Sequence, residues 1–232
     1  YLQVIEGRAG QVEEPDPLLG ILYHNLGNVM FRQGKNAEAT RYLERAIEAK
    51  EAAVGADSPS VASTLSTLVA VAVTAEHCEQ AVEYGERALG ILERSAEATA
   101  GSRVYVLGTL ADALRCAGRL EDARTRAREA VALATADDDL ITSRSPVASI
   151  LANIELDLGD RASAERSATE ALRSAQTPGW KATAKYQIAQ AIVHREPDEA
   201  VTLARAALEL LKDRAPEDEE RLAVEAFLRR HG

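Results

Sequence analysis

The sequence predicts an all-α fold, a solenoid of about five helical hairpins followed by a C-terminal capping helix. The main observation is an internal repeat, because three sets of apolar residues recur with a step of 42 residues at helical spacing. Steps of 41 and then 36 residues extend the repeat towards the C-terminus. The three sets are Ala39, Ala81 and Ala123; Leu26, Leu68 and Leu110; and Ala46, Ala88 and Ala130.

The composition agrees with a helical array. Hydrophobic residues make up 46% of the 232 residues, but aromatic residues only 4%. Alanine supplies much of the apolar content, and it favours both helix formation and the close approach of helices. Isolated helices of roughly 12 to 15 residues are marginal in water, so each hairpin must gain its stability by stacking on its neighbours.

The repeat spacing divides the chain into segments. The predicted segments are residues 1–15, as the end of a preceding repeat; hairpins at 17–53, 59–94, 102–135, 143–175 and 179–212; and a capping helix at 216–230. The capping helix begins with acidic residues and ends with basic ones, an order that complements a helix dipole. The chain begins without methionine, in what resembles the middle of a helix. We therefore expect a single array that is a fragment of a longer protein.

Proline and glycine mark the expected helix ends. Pro17 and Pro59 lie where a first helical turn is predicted, and there the missing N–H is not needed. Pro146 is expected to open the fourth hairpin in the same way, and Gly34 is expected to end a helix. Gly85 stands where the preceding repeat has a leucine, which predicts a close contact between helices.

Charge and hydropathy argue against two classes of partner. The chain has 37 acidic and 27 basic residues and a formal net charge of −10, which does not suit a surface that neutralises phosphates or an anionic membrane. No run of about 18 apolar residues is present, and the N-terminal residues lack the order of a signal peptide. We expect no nucleic-acid binding and no membrane insertion. The sequence leaves the oligomeric state open.

The two cysteines predict neither a metal site nor a disulfide. Cys78 and Cys116 are 38 residues apart, without a CxxC motif or a nearby histidine pair. A reducing compartment, and hence a cytoplasmic location, is the expectation that follows.

Catalytic chemistry is not indicated for this part of the chain. The four histidines are scattered over different repeats, and no nucleophile elbow, zinc-protease motif or glycine-rich nucleotide loop is present. Asp137, Asp138 and Asp139 form a charge run that lacks the alternating oxygens and turn glycine of a calcium loop. We therefore predict no catalytic residue, no metal ligand and no cofactor.

Two segments, Leu26 to Gly55 and Gly55 to Val73, resemble tetratricopeptide repeats, in particular the 42-residue form found in kinesin light chain. The resemblance implies a right-handed α-α superhelix whose first helices line a concave groove that binds peptide segments or partner domains. The residues that carry it are Leu26, Gly27, Gly34, Ala39, Tyr42, Ala46 and the G-x-D-x-P sequence that begins at Gly55.

The repeat match places a set of side chains from the first helices in this groove. Small and polar residues with a few aromatics suit an extended peptide, whose backbone needs hydrogen-bond partners. The alternative is that these side chains form solvated helix faces, and Arg115 could simply pair with Asp112. The predicted peptide- or partner-binding residues are His24, Asn25, Asn28, Phe31, Arg32, Ser66, Thr67, Tyr105, Thr109, Asp112, Arg115, Asn153, Tyr186 and Gln190.

Asn28 resembles the asparagine of the two-carboxylate clamp that chaperone-binding members of this family use. Thr67 stands where another asparagine is expected, and neither Tyr105 nor Thr109 supplies the basic residue of that clamp. Binding of an acidic chain end in that clamp is therefore not expected.

Two functions remain open. The first is a non-catalytic interaction scaffold that binds a peptide or a partner domain in the groove. The second is a C-terminal regulatory or docking module of a multidomain bacterial signalling enzyme, such as a serine/threonine protein kinase. The abundance of alanine and arginine is typical of proteins from GC-rich bacterial genomes.

Overall fold

The computed structural model describes residues 17–232, and within this range the chain forms helices and turns without a strand. The predicted all-α repeat fold is confirmed, while the segment predicted at residues 1–15 lies outside the described range. In chain order the helices are α1 (Pro17–Arg32), α2 (Asn36–Val54), α3 (Pro59–Thr74), α4 (Cys78–Arg94), α5 (Ala100–Cys116), α6 (Leu120–Ala136), α7 (Ile141–Asp157), α8 (Arg161–Ser174), α9 (Pro178–Ile192), α10 (Pro197–Leu210) and α11 (Glu219–His231).

The chain divides into two compact units, with the boundary in the sequence between Arg119 and Leu120. In the first unit α1 packs on α2, α3 on α4 and α4 on α5, and α3 also contacts α5. In the second unit each helix from α6 to α11 packs on the next, and α7 also contacts α9. The hand of the superhelix remains a prediction. None of the described helices is both long and apolar enough to cross a membrane.

Pro146 does not open the fourth hairpin as predicted. Helix α7 already begins at Ile141, directly after a short 3-10 turn at Asp138–Leu140, and Pro146 lies inside it. The Asp137 side chain accepts a hydrogen bond from Asp139 N at 3.0 Å and thereby starts the turn. Pro146 is the sixth residue of α7 and has no N–H to donate, so the helix lacks one intrahelical hydrogen bond at this point.

Small residues lie where the helices approach each other most closely. Ala39, Ala81 and Ala164 are each 0% exposed. A Cβ atom added to Gly85 would lie only 2.8 Å from Leu110 Cδ1, so α4 and α5 are in contact at this position. The close contact predicted at Gly85 is confirmed.

The predicted absence of a disulfide is wrong. Cys78, the first residue of α4, and Cys116, the last residue of α5, are bonded, with their Cα atoms 5.3 Å apart. Antiparallel packing of α4 on α5 brings these two ends together across 38 residues of sequence. A search for local cysteine motifs misses such a pair, because stacking of one hairpin on the next creates it. The expectation of a reducing compartment loses its basis, since disulfides persist mainly in oxidising environments.

Reduction of the Cys78–Cys116 disulfide is expected to lower the free energy of unfolding by about 2 to 4 kcal/mol, because the crosslink restricts the unfolded chain. Chemical denaturation with and without a phosphine reductant measures the difference. The double variant Cys78→Ser/Cys116→Ser serves as control, since its midpoint should not respond to the reductant. Two free thiols in the protein purified under oxidising conditions would contradict the assignment.

Enlarging a buried alanine at a helix contact should also destabilise the protein. Ala81→Leu and Ala164→Leu, one in each unit, are expected to cost about 1 to 3 kcal/mol each through overpacking. Circular dichroism melts measure the loss, with Ala132→Leu on the exposed side of α6 as the matched control. An unchanged melting temperature in both buried variants would show that the helices do not approach as described.

Candidate functional site

A connected group of polar side chains links α1, α2 and α3 in the first unit. Lys50 on α2 is only 9% exposed, and its Nζ donates hydrogen bonds to Thr64 Oγ1 at 2.7 Å and to the Ser60 carbonyl oxygen at 3.0 Å. His24 Nδ1 on α1 lies 3.3 Å from Thr64 Oγ1. The other ring nitrogen of His24, Nε2, lies 3.0 Å from Asn28 Nδ2. We call Lys50, Thr64, His24 and Asn28 the Lys50 cluster.

One arrangement of protons satisfies all these contacts. If Asn28 Nδ2 donates to His24 Nε2, the proton of the neutral imidazole is on Nδ1 and donates to Thr64 Oγ1. The Thr64 hydroxyl then donates to the Ser60 carbonyl oxygen at 3.1 Å. The carbonyl oxygen of the Asn28 side chain makes no hydrogen bond with any described residue, so it can accept one from a ligand.

Burial lowers the pKa values of both basic groups in the Lys50 cluster. Burial lowers the pKa of His24 to about 4, and the positive charge of Lys50 adds to this shift. Burial also lowers the pKa of Lys50. Within the described part of the chain, no carboxylate pairs with Lys50. At neutral pH, His24 is therefore uncharged, and its ring nitrogens hold Thr64 and Asn28 in place.

Two predicted groove residues on α3 are buried instead. Ser66 is fully buried, and its hydroxyl donates to the Ala62 carbonyl oxygen at 3.1 Å. Thr67 is 7% exposed, and its hydroxyl donates to the Ser63 carbonyl oxygen at 3.3 Å. Helix α3 contacts α1, α2, α4 and α5, so little of its surface is left uncovered. This placement removes Ser66 and Thr67 from the predicted set of ligand contacts.

The predicted residues on α5 are accessible but make local contacts. Tyr105 is 48% exposed. The Thr109 hydroxyl donates back to the carbonyl oxygens of Tyr105 and Val106. Asp112 and Arg115 pair at 3.0 Å, as the alternative interpretation proposed. On α1, by contrast, Asn25 is half-buried, Arg32 is exposed and Phe31 packs against the core.

In the second unit a buried glutamine orients one of the predicted asparagines. Gln187 on α9 is 2% exposed, and its Nε2 donates to Asn153 Oδ1 at 2.8 Å and to the Ser149 carbonyl oxygen at 2.9 Å. Because Asn153 Oδ1 accepts this bond, its Nδ2 keeps both donor hydrogens. No described residue uses them.

A shallow pocket of about 460 Å³ lies beside this pair, between α7, α9 and α11. Its apolar side consists of Leu156, Val193 and Phe227, and polar and charged side chains form the rest. We call it the C-terminal pocket. Its lining residues are Leu156, Asp157, Arg161, Gln190, Val193, His194, Phe227, Arg230 and His231.

The predicted residues Tyr186 and Gln190 lie next to each other on this side of α9. The Tyr186 hydroxyl donates to the Ala223 carbonyl oxygen at 3.2 Å, and the edge of its ring meets Phe227 with ring centroids 5.7 Å apart. Burial raises the pKa of Tyr186, and the charge of Arg230 acts on the same phenol in the opposite direction. The Gln190 carbonyl oxygen accepts a hydrogen bond from Arg161 Nη1 at 2.7 Å. Tyr186 therefore packs against α11 and hydrogen-bonds to it, whereas Gln190 lines the pocket.

Lys50, Gln187 and the cationic residues of the C-terminal pocket are not among the predicted binding residues. A usable signal existed for the first two, because each lies at an apolar position of its helix and a polar residue there must be buried and bonded. Nothing in the sequence pattern distinguishes Arg161 and Arg230 from other surface arginines. They are distant in sequence and line the same pocket only because of helix packing. Among the described residues, no group of three or more His, Cys, Asp or Glu side chains is arranged to hold a metal ion.

Acidification should destabilise the first unit through His24. Its pKa is about 4 in the folded protein and about 6.5 when unperturbed, so the unfolded chain takes up a proton first as the pH falls. Stability present above pH 6.5 is therefore lost between pH 6.5 and about 4. Melting temperatures across this range should fall less steeply for His24→Gln than for the unaltered protein or for the exposed control His194→Gln. Parallel curves for all three would refute the role of His24.

Comparisons with known proteins agree with this architecture. The family model described as tetratricopeptide repeat matches residues 18–94. A thermophilic TPR protein of Thermus thermophilus is 20% identical, with a TM-score of 0.63, over 90% of this chain and 98% of that one. A putative kinesin light chain of Podospora anserina with nearly identical TPR-like repeats is 19% identical, with a TM-score of 0.63, over 94% of this chain and all (100%) of that one.

A third solved structure is the Rap conjugation gene regulator of the plasmid pLS20 in complex with the Phr* peptide. It is 16% identical with a TM-score of 0.66, and the match covers 88% of this chain and 61% of that one. No curated protein matches the sequence. The resemblance to tetratricopeptide repeats is thus confirmed: residues 18–94 match the family model, and the chain has the fold of tetratricopeptide-repeat proteins, among them one with kinesin-light-chain-like repeats.

Proposed function

We propose that the protein is a non-catalytic interaction scaffold that binds a peptide or a partner domain along the first helices of its hairpins. The observation that carries the proposal is a pair of oriented amides, one in each unit. Asn28 is held through its nitrogen by His24, and Asn153 is held through its oxygen by Gln187. The other end of each amide is left for a ligand, and each asparagine lies on the first helix of its hairpin, the helix that the repeat match assigns to ligand binding.

Oriented amides suit a peptide backbone for a physical reason. An extended peptide presents N–H and C=O groups in alternation, and each must keep a hydrogen-bond partner when it leaves water. Asn28 offers an acceptor and Asn153 offers donors. Since neighbouring side chains already fix both amides, binding costs less conformational entropy than it would with free side chains.

The comparison with the Rap regulator supports this assignment at the level of the fold. That protein is bound to a peptide in its solved structure, so a helical array of this type can serve as a peptide receptor. The same surface would serve a regulatory or docking module of a multidomain bacterial signalling enzyme such as a serine/threonine protein kinase. In that role the array supplies binding and another domain supplies catalysis.

Site-specific photo-crosslinking tests the proposal. A benzophenone amino acid placed at Asn25 or Gln190, on first helices, should crosslink a partner in the source lysate. The matched controls are Glu83 and Glu129, exposed residues on the second helices α4 and α6. The same partner should be lost when Asn28→Ala and Asn153→Ala are combined with the crosslinker at Asn25. Equal crosslinking from both sets of positions would show that binding does not use the first helices.

A further inference from the structure

We propose that the C-terminal pocket binds an acidic peptide segment that places one apolar side chain against Phe227 and carboxylates beside Arg161 and Arg230. This proposal rests on the proposed peptide-binding function and adds the chemistry of the ligand. It concerns the second unit alone, and it uses none of the positions that the two-carboxylate clamp would occupy.

The apolar side of the pocket is closely packed. Phe227 is only 9% exposed, and its ring contacts the Tyr186 ring, with centroids 5.7 Å apart and planes nearly perpendicular, and the His231 ring, with centroids 4.7 Å apart. Val193, also 9% exposed, and the half-buried Leu156 complete this side. A volume of about 460 Å³ admits one large apolar side chain together with adjoining backbone.

The charge of the pocket differs from that of the whole chain. The protein carries a formal charge of −10, yet two arginines and two histidines line this pocket against one carboxylate, that of Asp157, which has an interaction of its own. A cationic pocket on a negatively charged protein attracts an anionic ligand. Opposite charges speed the association of the two molecules and orient the ligand at the surface.

The two pocket arginines also differ from their neighbours in ion pairing. Most arginines of the second unit pair with a carboxylate, as Arg195 does with Glu165 at 3.1 Å and Arg214 with Glu220 at 2.9 Å. Arg161 instead bonds the Gln190 carbonyl oxygen, and neither Arg161 nor Arg230 has a carboxylate partner among the described residues. Their guanidinium groups are thus available to the bidentate hydrogen bonds that carboxylates accept.

The course of the peptide follows from the residues around the pocket. Asn153 lies one turn before Leu156 on α7, so its amide donors can hold a peptide carbonyl group just outside the pocket. Arg230, on the last turn of α11, lies on the far side. A segment that runs from Asn153 towards α11 therefore places its apolar side chain first and its carboxylates next to Arg230.

The competing explanation is that Arg229, Arg230 and His231 only compensate the dipole of α11, since basic residues stabilise a helix C-terminus. Arg229 provides the matched control, because it is adjacent, lies in the same last turn of α11 and is outside the pocket lining. It faces Glu225 at 3.9 Å. Charge reversal at either position changes the net charge by the same amount and weakens the dipole interaction. At Arg229 it also removes the contact with Glu225, and only at Arg230 does it alter the pocket.

The test is fluorescence anisotropy with the full chain and a labelled heptapeptide that has one leucine between two runs of three glutamates. We expect saturable binding that weakens at least tenfold with Arg230→Glu and changes less than twofold with Arg229→Glu. Replacing the glutamates by glutamine, or the leucine by alanine, should each weaken binding about tenfold. Arg230→Gln, the milder change, should give an intermediate loss, and melting temperatures confirm that the variants are folded.

Equal weakening by Arg229→Glu and Arg230→Glu, or binding that is indifferent to the glutamates, would overturn the proposal. Failure to bind the peptide at all would also overturn it. In each case position-dependent crosslinking from Asn25, which lies in the first unit and outside the pocket, would show whether the broader peptide-binding function survives, so the two failures are distinguishable.

Discussion

The structure depends on the close approach of helices at positions occupied by alanine or glycine. Ala39, Ala81, Ala164 and Ala200 are each 0% exposed, one on the second helix of each of four hairpins. A methyl side chain lets two helix backbones lie near each other, and dispersion contacts then replace the large apolar side chains that the sequence lacks. Within each unit the same repeat position supplies such a contact, so alanine recurs there.

Buried polar side chains fix how neighbouring helices align along their axes, which an interior made mostly of alanine does not. Glu155 on α7 is 2% exposed, accepts a hydrogen bond from Ser167 Oγ at 2.7 Å and faces Arg128 at 3.4 Å. Lys50 and Gln187 likewise join residues of different helices. Uniform small side chains would allow neighbouring helices to slide, whereas a buried polar group loses its partner after a shift of one residue.

The same polar groups link the packing of the helices to the proposed function. The partly buried His24 and the buried Gln187 each hold one end of an asparagine amide, and the other end of that amide makes no hydrogen bond with a described residue. A scaffold of this kind can keep its ligand-contacting side chains in place without a rigid loop or a metal ion, because adjacent helices position them. The disulfide between Cys78 and Cys116 adds a covalent link between two stacked helices of the first unit.

The sequence alone determined the fold class, because a 42-residue recurrence of small apolar residues at helical spacing is typical of stacked helical repeats. It also indicated the faces that carry Asn28 and Asn153, since periodicity assigns residues to a side of a helix. Burial of Ser66 and Thr67, the start of α7 before Pro146, the disulfide and the cationic pocket were decided by tertiary structure. Each depends on which neighbours cover a helix or which distant ends meet, and periodicity within one helix carries no information about either.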